Sequence, residues 1–175
     1  DAVSRELPEP SVGETLVLLA QGRDPGNVGT IIRTADAFGA VGVITVSGTV
    51  EATSPKVVRA SAGSVFHIPV CVVSSFEEAH ALIHRRSAAL LGTSGGAGSL
   101  DLSQMLVQGV SGRSRLSQSH AWVFGNEAKG LSGAEMRLCD ALVSIPMTGD
   151  AESLNVASAA TACLFASQTV RGMTL

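Results

Sequence analysis

The sequence predicts an α/β domain: a mostly parallel sheet flanked by helices. Three observations carry this. Apolar, β-branched runs alternate with helical patterns along the chain, the order expected when helices cover a sheet on both sides. Most of those runs are continuously apolar, as in parallel strands buried on both faces. The 175 residues are 45% hydrophobic and 15% charged, with 19 glycines, which is enough for one domain with a real core.

The elements follow in chain order. Residues 1–13 are polar and Pro-bearing, carry no signal-peptide pattern and lack a starting Met. They read as a linker or the remnant of an upstream segment, with the domain at 14–175. "TLVLLAQ" (15–21) is the first strand. "DPGNVGTIIRTADAFGA" (24–40) leads from a Gly-containing loop into a helix over 28–39. At about 100° per residue, Ile31, Ile32, Ala35 and Phe38 share one arc and Arg33 points away from it. Further strands are expected at "VGVITV" (41–46), "IPVCVV" (68–73), "AALLGT" (88–93), "AWVFGN" (121–126) and "ALVSIPM" (141–147). Helices are expected at 54–62, 75–86, around 101–108 and 132–138. A long final helix runs from about 153 to 171, with Ser153 as its N-cap. "VQGVSGRSRLSQSH" (107–120) mixes Gly, Ser and Arg without a period and reads as a mobile loop.

Composition restricts the function classes. Net charge is −3, so no global basic field draws in nucleic acid. Only a local patch could do so, and Arg23, Arg33, Lys56, Arg59, Arg113, Arg115 and Lys129 are its candidates. Aromatics are 3%, with no Tyr and one Trp, which argues against a stacking platform for single-stranded bases. Cys71, Cys139 and Cys163 are odd in number and scattered, as in a reducing, cytoplasmic compartment. No apolar run reaches the roughly 18 residues of a membrane span.

Single motifs are weak. Gly26 and Gly29 could let backbone N–H groups approach an anion, but the phosphate-loop and dinucleotide fingerprints are absent. "GTSGGAGS" (92–99) fails the latter because Asp101 stands where its third glycine would be. Arg33 has a plain structural alternative, an ion pair with Asp36 at i, i+3. His80 and His84 have metal-like i, i+4 spacing, yet no H-E-x-x-H glutamate and no third ligand follow. A solvated helix face explains them, and no metal is expected. "RASAG" (59–63) has Arg59 in place of the first Gly of a nucleophile elbow. The constellation is more telling. Loops at 24–29, 93–98, 125–130 and 146–152 all follow strands, and ligands in open α/β sheets bind beyond strand carboxyl ends.

Together these segments resemble the SpoU (TrmH-like) family of RNA ribose 2′-O-methyltransferases, in the SPOUT superfamily. "NVGTIIRTADAFGA" resembles the family's first motif, with Asn27 and Arg33 in its marked positions. "FGNEAKGLS" resembles the second, with Gly125, Asn126 and Glu127. "IPMTGDAESLNVASAA" resembles the third, with Ser153, Leu154 and Asn155. "SPKVVRASAGSVFHIPV" (54–70) resembles the connecting segment. Ala157 stands where many members carry Ser.

The resemblance implies a SPOUT methyltransferase fold with a C-terminal trefoil knot. It implies S-adenosylmethionine as methyl donor, gripped by backbone at Gly125, Ile145 and Leu154, with Asn126, Thr93 and Met147 at the pocket. It implies a homodimer whose final helix helps form the interface and whose active site is completed across it. Asn27, Arg33, Glu127, Ser153 and Asn155 are the implied catalytic set. Arg33 would bind an RNA phosphate and orient the hydroxyl; Asn27 and Asn155 would orient substrate and Arg33. Glu127 would fix Arg33 or the loop, and Ser153 would order the third motif's turn. The substrate would be structured RNA, ribosomal or transfer, and an N-terminal RNA-binding domain upstream is expected. The alternative is a catalytically silent RNA-binding module that retains the fold.

Overall fold

A computed structural model describes residues 6–109 and 111–173. Seven strands form one sheet: β1 (Thr15–Leu19), β2 (Gly42–Val46), β3 (Val70–Val73), β4 (Ala89–Thr93), β5 (Leu100–Asp101), β6 (His120–Phe124) and β7 (Ala141–Ser144). Their order is β3-β2-β1-β6-β4-β7-β5. Every pairing is parallel, with Leu16 opposite Gly42 on one side and Ala121 on the other. From β1 the chain steps outward through β2 to β3, then returns to build β4 beyond β6. The direction reverses beside β1, and a crevice opens at such a switch point beyond the strands' carboxyl ends.

The alternation of strand side chains sorts two cores. Val17, Leu19, Trp122 and Phe124 face α1 (Pro25–Ala37), α2 (Pro55–Ala60), α4 (Leu102–Gly109) and α6 (Val156–Met173). Leu16, Leu18, Ala121 and Val123 face α3 (Phe76–Arg85) and α5 (Gly133–Leu138). Every residue of β1 and β6 is buried, which explains their continuously apolar runs. On α1, Ile31, Ile32 and Ala35 are buried as the helix phase requires, while Arg33 is exposed.

Several expected boundaries move for identifiable reasons. α1 starts at Pro25, not at 28: Asp24 caps it, its side chain accepting the Asn27 N–H at 2.8 Å, and Pro suits the first helical position. Gly29 therefore lies inside the helix and does not shape a loop. A Cβ there would come within 2.7 Å of the Val57 carbonyl oxygen, so the glycine lets α1 and α2 touch backbone to backbone. α6 starts at Val156, and its cap is Asn155 rather than Ser153. Asn155 Oδ1 accepts the N–H groups of Ala157 (2.8 Å) and Ser158 (3.4 Å). The expected strand over 141–147 ends at Ser144, and β5 is an unforeseen two-residue edge strand.

The segment 107–120 is anchored in the described part. Ser114 caps a short 3-10 turn at Arg115–Ser117 and Leu116 is fully buried beside α4 and α6. Residues 6–13, expected as linker, lie against the amino ends of the strands. Arg86 Nη1 donates to the Pro8 carbonyl at 2.8 Å, and Arg86 clasps buried Glu14 through Nε (2.7 Å) and Nη2 (2.8 Å). Burial alone would push the Glu14 carboxyl up, but the hydrogen bonds from Arg86 and Ser11 hold it below the ordinary glutamate value. At the foot of β6, fully buried His120 and Trp122 both reach Ser167 Oγ on α6, each at 2.8 Å. Among the described residues no helix is long and apolar enough to cross a membrane.

Candidate functional site

The carboxyl ends of β4, β6 and β7 meet at one cleft of about 430 Å³. Thr93 closes β4, and its Oγ1 donates to the Val123 carbonyl of β6 at 3.0 Å. The next residue, Ser94, donates its N–H to the Val143 carbonyl of β7, also at 3.0 Å. Three loops are thus pinned side by side.

The turn after β6 folds back on itself. Asn126 and Gly130 exchange backbone hydrogen bonds (3.0 and 2.8 Å), and Asn126 Oδ1 accepts the N–H groups of Ala128 (2.9 Å) and Lys129 (3.2 Å). Gly130 sits at φ +66° and Gly125 lies directly beneath its carbonyl, where any Cβ would overlap the Gly130 peptide. The turn is therefore a backbone cradle. Opposite it, Ile145, Met147 and Leu154 line the cleft, and Met147 (44%) and Leu154 (42%) stay exposed there. Large apolar side chains left open at a concave site mark a place for an apolar ligand surface.

All six residues expected to hold a cofactor, Thr93, Gly125, Asn126, Ile145, Met147 and Leu154, line this cleft, and so do Glu127 and Ser153. Neither Asn27 nor Asn155 lines it; Asn155 follows the lining residue Leu154, and its Nδ2 donates to Asn27 Oδ1 at 3.1 Å. That bond ties the start of α1 to the start of α6 across 128 residues of sequence. Glu127 does not engage Arg33. Its Oε1 accepts the backbone N–H groups of Arg23 (3.3 Å) and Asp24 (3.2 Å), fixing the loop that enters α1.

Arg33 lies outside the cleft on the exposed side of α1. The pairing with Asp36 does not form: Asp36 meets His67 Nδ1 at 3.3 Å. Arg113 and Arg115 sit at the amino end of β6, away from the cleft, whereas Lys129 lines it and Arg23 lies on the other side of the turn after β6. His80 and His84 stack at 4.3 Å between ring centroids, and His84 approaches Asp140 at 3.5 Å. Asp24 shapes the site as the cap of α1, and its only signal in the sequence is the Asp-Pro pair that starts a helix. Leu131 and Met136 also line the cleft, and no sequence period marks them.

Comparison with known proteins agrees with this geometry. Residues 14–165 match the model of the SpoU rRNA Methylase family. The chain is 41% identical over 154 residues to a 23S rRNA (uridine(2479)-2′-O)-methyltransferase of Streptomyces viridochromogenes, covering 85% of this chain and 50% of that protein. It is 37% identical over 150 residues to a 23S rRNA (guanosine(2553)-2′-O)-methyltransferase of Bacillus subtilis, covering 83% of this chain and 54% of that one. Among solved structures, the Streptomyces viridochromogenes SpoU methyltransferase AviRb in complex with AdoMet superposes with a TM-score of 0.79 at 38% identity, over 93% of this chain and 61% of that chain. The chain thus spans roughly half the length of the curated relatives it matches.

Proposed function

Because the chain belongs to the SpoU rRNA Methylase family, we propose that it is the catalytic domain of an RNA ribose 2′-O-methyltransferase. The observation that carries this is the convergence of Thr93, Gly125, Asn126, Ile145, Met147 and Leu154 on one cleft beside the Asn27–Asn155 bond. The donor set fits S-adenosylmethionine. The glycine cradle at Gly125 presents backbone rather than side chains, and the apolar wall of Ile145, Met147 and Leu154 suits a flat purine. When bound, S-adenosylmethionine supplies a methyl group on a cationic sulfur.

The protein's share of the chemistry is positioning. A ribose 2′-hydroxyl is a poor nucleophile, and its proton must leave as it attacks. In-line placement supplies much of the rate. The mutual hydrogen bond of Asn27 and Asn155 holds two side chains next to Leu154 to orient the ribose. Glu127 holds the entry to α1 through the Arg23 and Asp24 amides. Ser153 lines the cleft two residues before the α6 cap. Arg33 binds an RNA phosphate and orients the hydroxyl, since an arginine guanidinium is in general too weak an acid to supply an ordinary base.

Arg33 reaches its role in a homodimer whose active site is completed across the interface. Two features support that assembly. Phe165 of α6 is 53% exposed and meets Phe38 edge-to-face at 6.0 Å, which leaves an apolar patch where α1 and α6 meet. α1, the helix that bears Arg33, packs against α6. The family's trefoil knot belongs to the same proposal. The relatives' names make ribosomal RNA the favoured substrate. A cytoplasmic location, the domain at 14–175 and an upstream RNA-binding region complete the proposal. The greater length of the relatives supports the last. The test is methyl transfer from labelled donor by wild type and Arg33→Ala. The variant should lose transfer and keep wild-type donor affinity; an active Arg33→Ala contradicts the assignment.

A further inference from the structure

A second cavity, of about 370 Å³, lies on the other side of the 126–129 turn. Gln21 and Arg23, just after β1, form one wall, and Asn126, Glu127, Ala128 and Lys129, just after β6, form the other. It therefore occupies the switch point of the sheet, between two strands that pair in register to their last residues, Leu19 and Phe124. It shares the 126–129 turn with the cleft assigned to the methyl donor.

Its charge is opposite to that of the chain. Two cations, Arg23 and Lys129, face one carboxylate, Glu127, while the whole chain carries −3. Glu127 is already engaged by the amides of Arg23 and Asp24. Those bonds and the Asn126 Oδ1 contact to the Lys129 N–H hold both cation-bearing backbones from a single turn. Among the described residues neither the Arg23 nor the Lys129 side chain forms an ion pair or hydrogen bond. Two exposed cations on a fixed backbone, free of internal partners, with Lys129 on the rim shared with the donor cleft and Arg23 beyond it, match an anion that must lie beside the reacting group.

We infer that the cavity between Arg23 and Lys129 is a subsite for an RNA phosphodiester next to the methylated ribose. The inference rests on the methyltransferase reading above and adds to it a named anion-binding pair. Phosphate contacts position a nucleic acid without reading its sequence. The pair should therefore raise affinity for any RNA and set the register of the target ribose against the donor cleft.

The test uses the full-length protein, unmodified transcribed 23S rRNA and a salt series. Each phosphate contact on single-stranded nucleic acid contributes about 0.7 to the slope of log affinity against log salt. Arg23→Gln/Lys129→Gln should lower that slope by about 1.4 and weaken binding about tenfold near 0.1 M salt. Donor affinity should stay at the wild-type value in Arg23→Gln, whose side chain lies outside the donor cleft, and Arg23→Lys/Lys129→Arg should restore RNA binding. Unchanged slope and affinity in the Gln pair overturn the inference. So does a loss of donor affinity in Arg23→Gln alone, which would make that residue a support of the turn. A wild-type protein that binds neither RNA nor donor removes the methyltransferase reading itself, an outcome distinct from either.

Discussion

The start of α6 offers a sharp test, because two residues compete for one role. Ser153 looks like the cap in the sequence, but the structure gives the cap to Asn155, which also donates to Asn27. Asn155→Ala removes both interactions. The lost cap costs about 1 kcal/mol and the lost side-chain hydrogen bond about another 1 kcal/mol. For a domain of this size a total of about 2 kcal/mol lowers Tm by roughly 4–8 °C. Ser153→Ala should shift Tm by no more than about 2 °C, the range of an ordinary surface change. Asn155→Ser separates the two terms: serine caps about as well as asparagine but is too short to reach Asn27. It should cost only about 1 kcal/mol, and next to nothing when Asn27 is already alanine. Thermal unfolding of the singles and of the Asn27→Ala/Asn155→Ser double mutant reads all of this, with a coupling of about 0.5–1 kcal/mol expected. If Ser153→Ala costs as much as Asn155→Ala, or the coupling is nil, the reasoning about the α6 start and its tie to α1 is wrong.

Other perturbations test other links. Gly125→Ala should abolish S-adenosylmethionine binding in calorimetry, because its Cβ would overlap the Gly130 peptide. Gly95→Ala, on the same cleft but with open space around it, should bind normally. Gly29→Ala forces α1 away from the Val57 carbonyl and should cost about 1–3 kcal/mol in urea unfolding. Burial holds the His120 pKa down to about 4 against an ordinary 6.5. The unfolded chain thus takes up the proton first as pH falls. The contribution is complete above pH 6.5 and shrinks down to pH 4, by about 3 kcal/mol in all. Urea midpoints measured across that window should fall with acid, and His120→Gln should flatten that segment of the curve.

What was legible in the sequence follows from what each signal encodes. Continuous apolar runs specify strands buried on both faces, so the parallel sheet and its two helical layers were readable from Leu16–Leu19 and Ala121–Phe124. That four loops share one crevice was readable because each follows a strand; which residues line it came from the resemblance of three motifs to the SpoU family. Less local facts were hidden. Gly29 looks like loop glycine until α2 is packed against it. Ser153 and Asn155 are both good caps, and only the path of 145–155 over the cleft decides between them. Leu116 sits in a polar, Gly-bearing stretch whose neighbours give no period, yet tertiary packing buries it. Arg33 faces away from the core of its own helix as its phase requires, but a helix phase says nothing about what it meets there.

The proposed reaction places a methyl group on a ribose 2′-oxygen. The direct measurement is to incubate the full-length protein with labelled S-adenosylmethionine and ribosomal RNA from cells lacking its gene, then hydrolyse the RNA in alkali. Alkaline cleavage needs a free 2′-hydroxyl. The account predicts label in an alkali-resistant dinucleotide, and none with Arg33→Ala. Label recovered in ordinary mononucleotides, as from a methylated base, would contradict it.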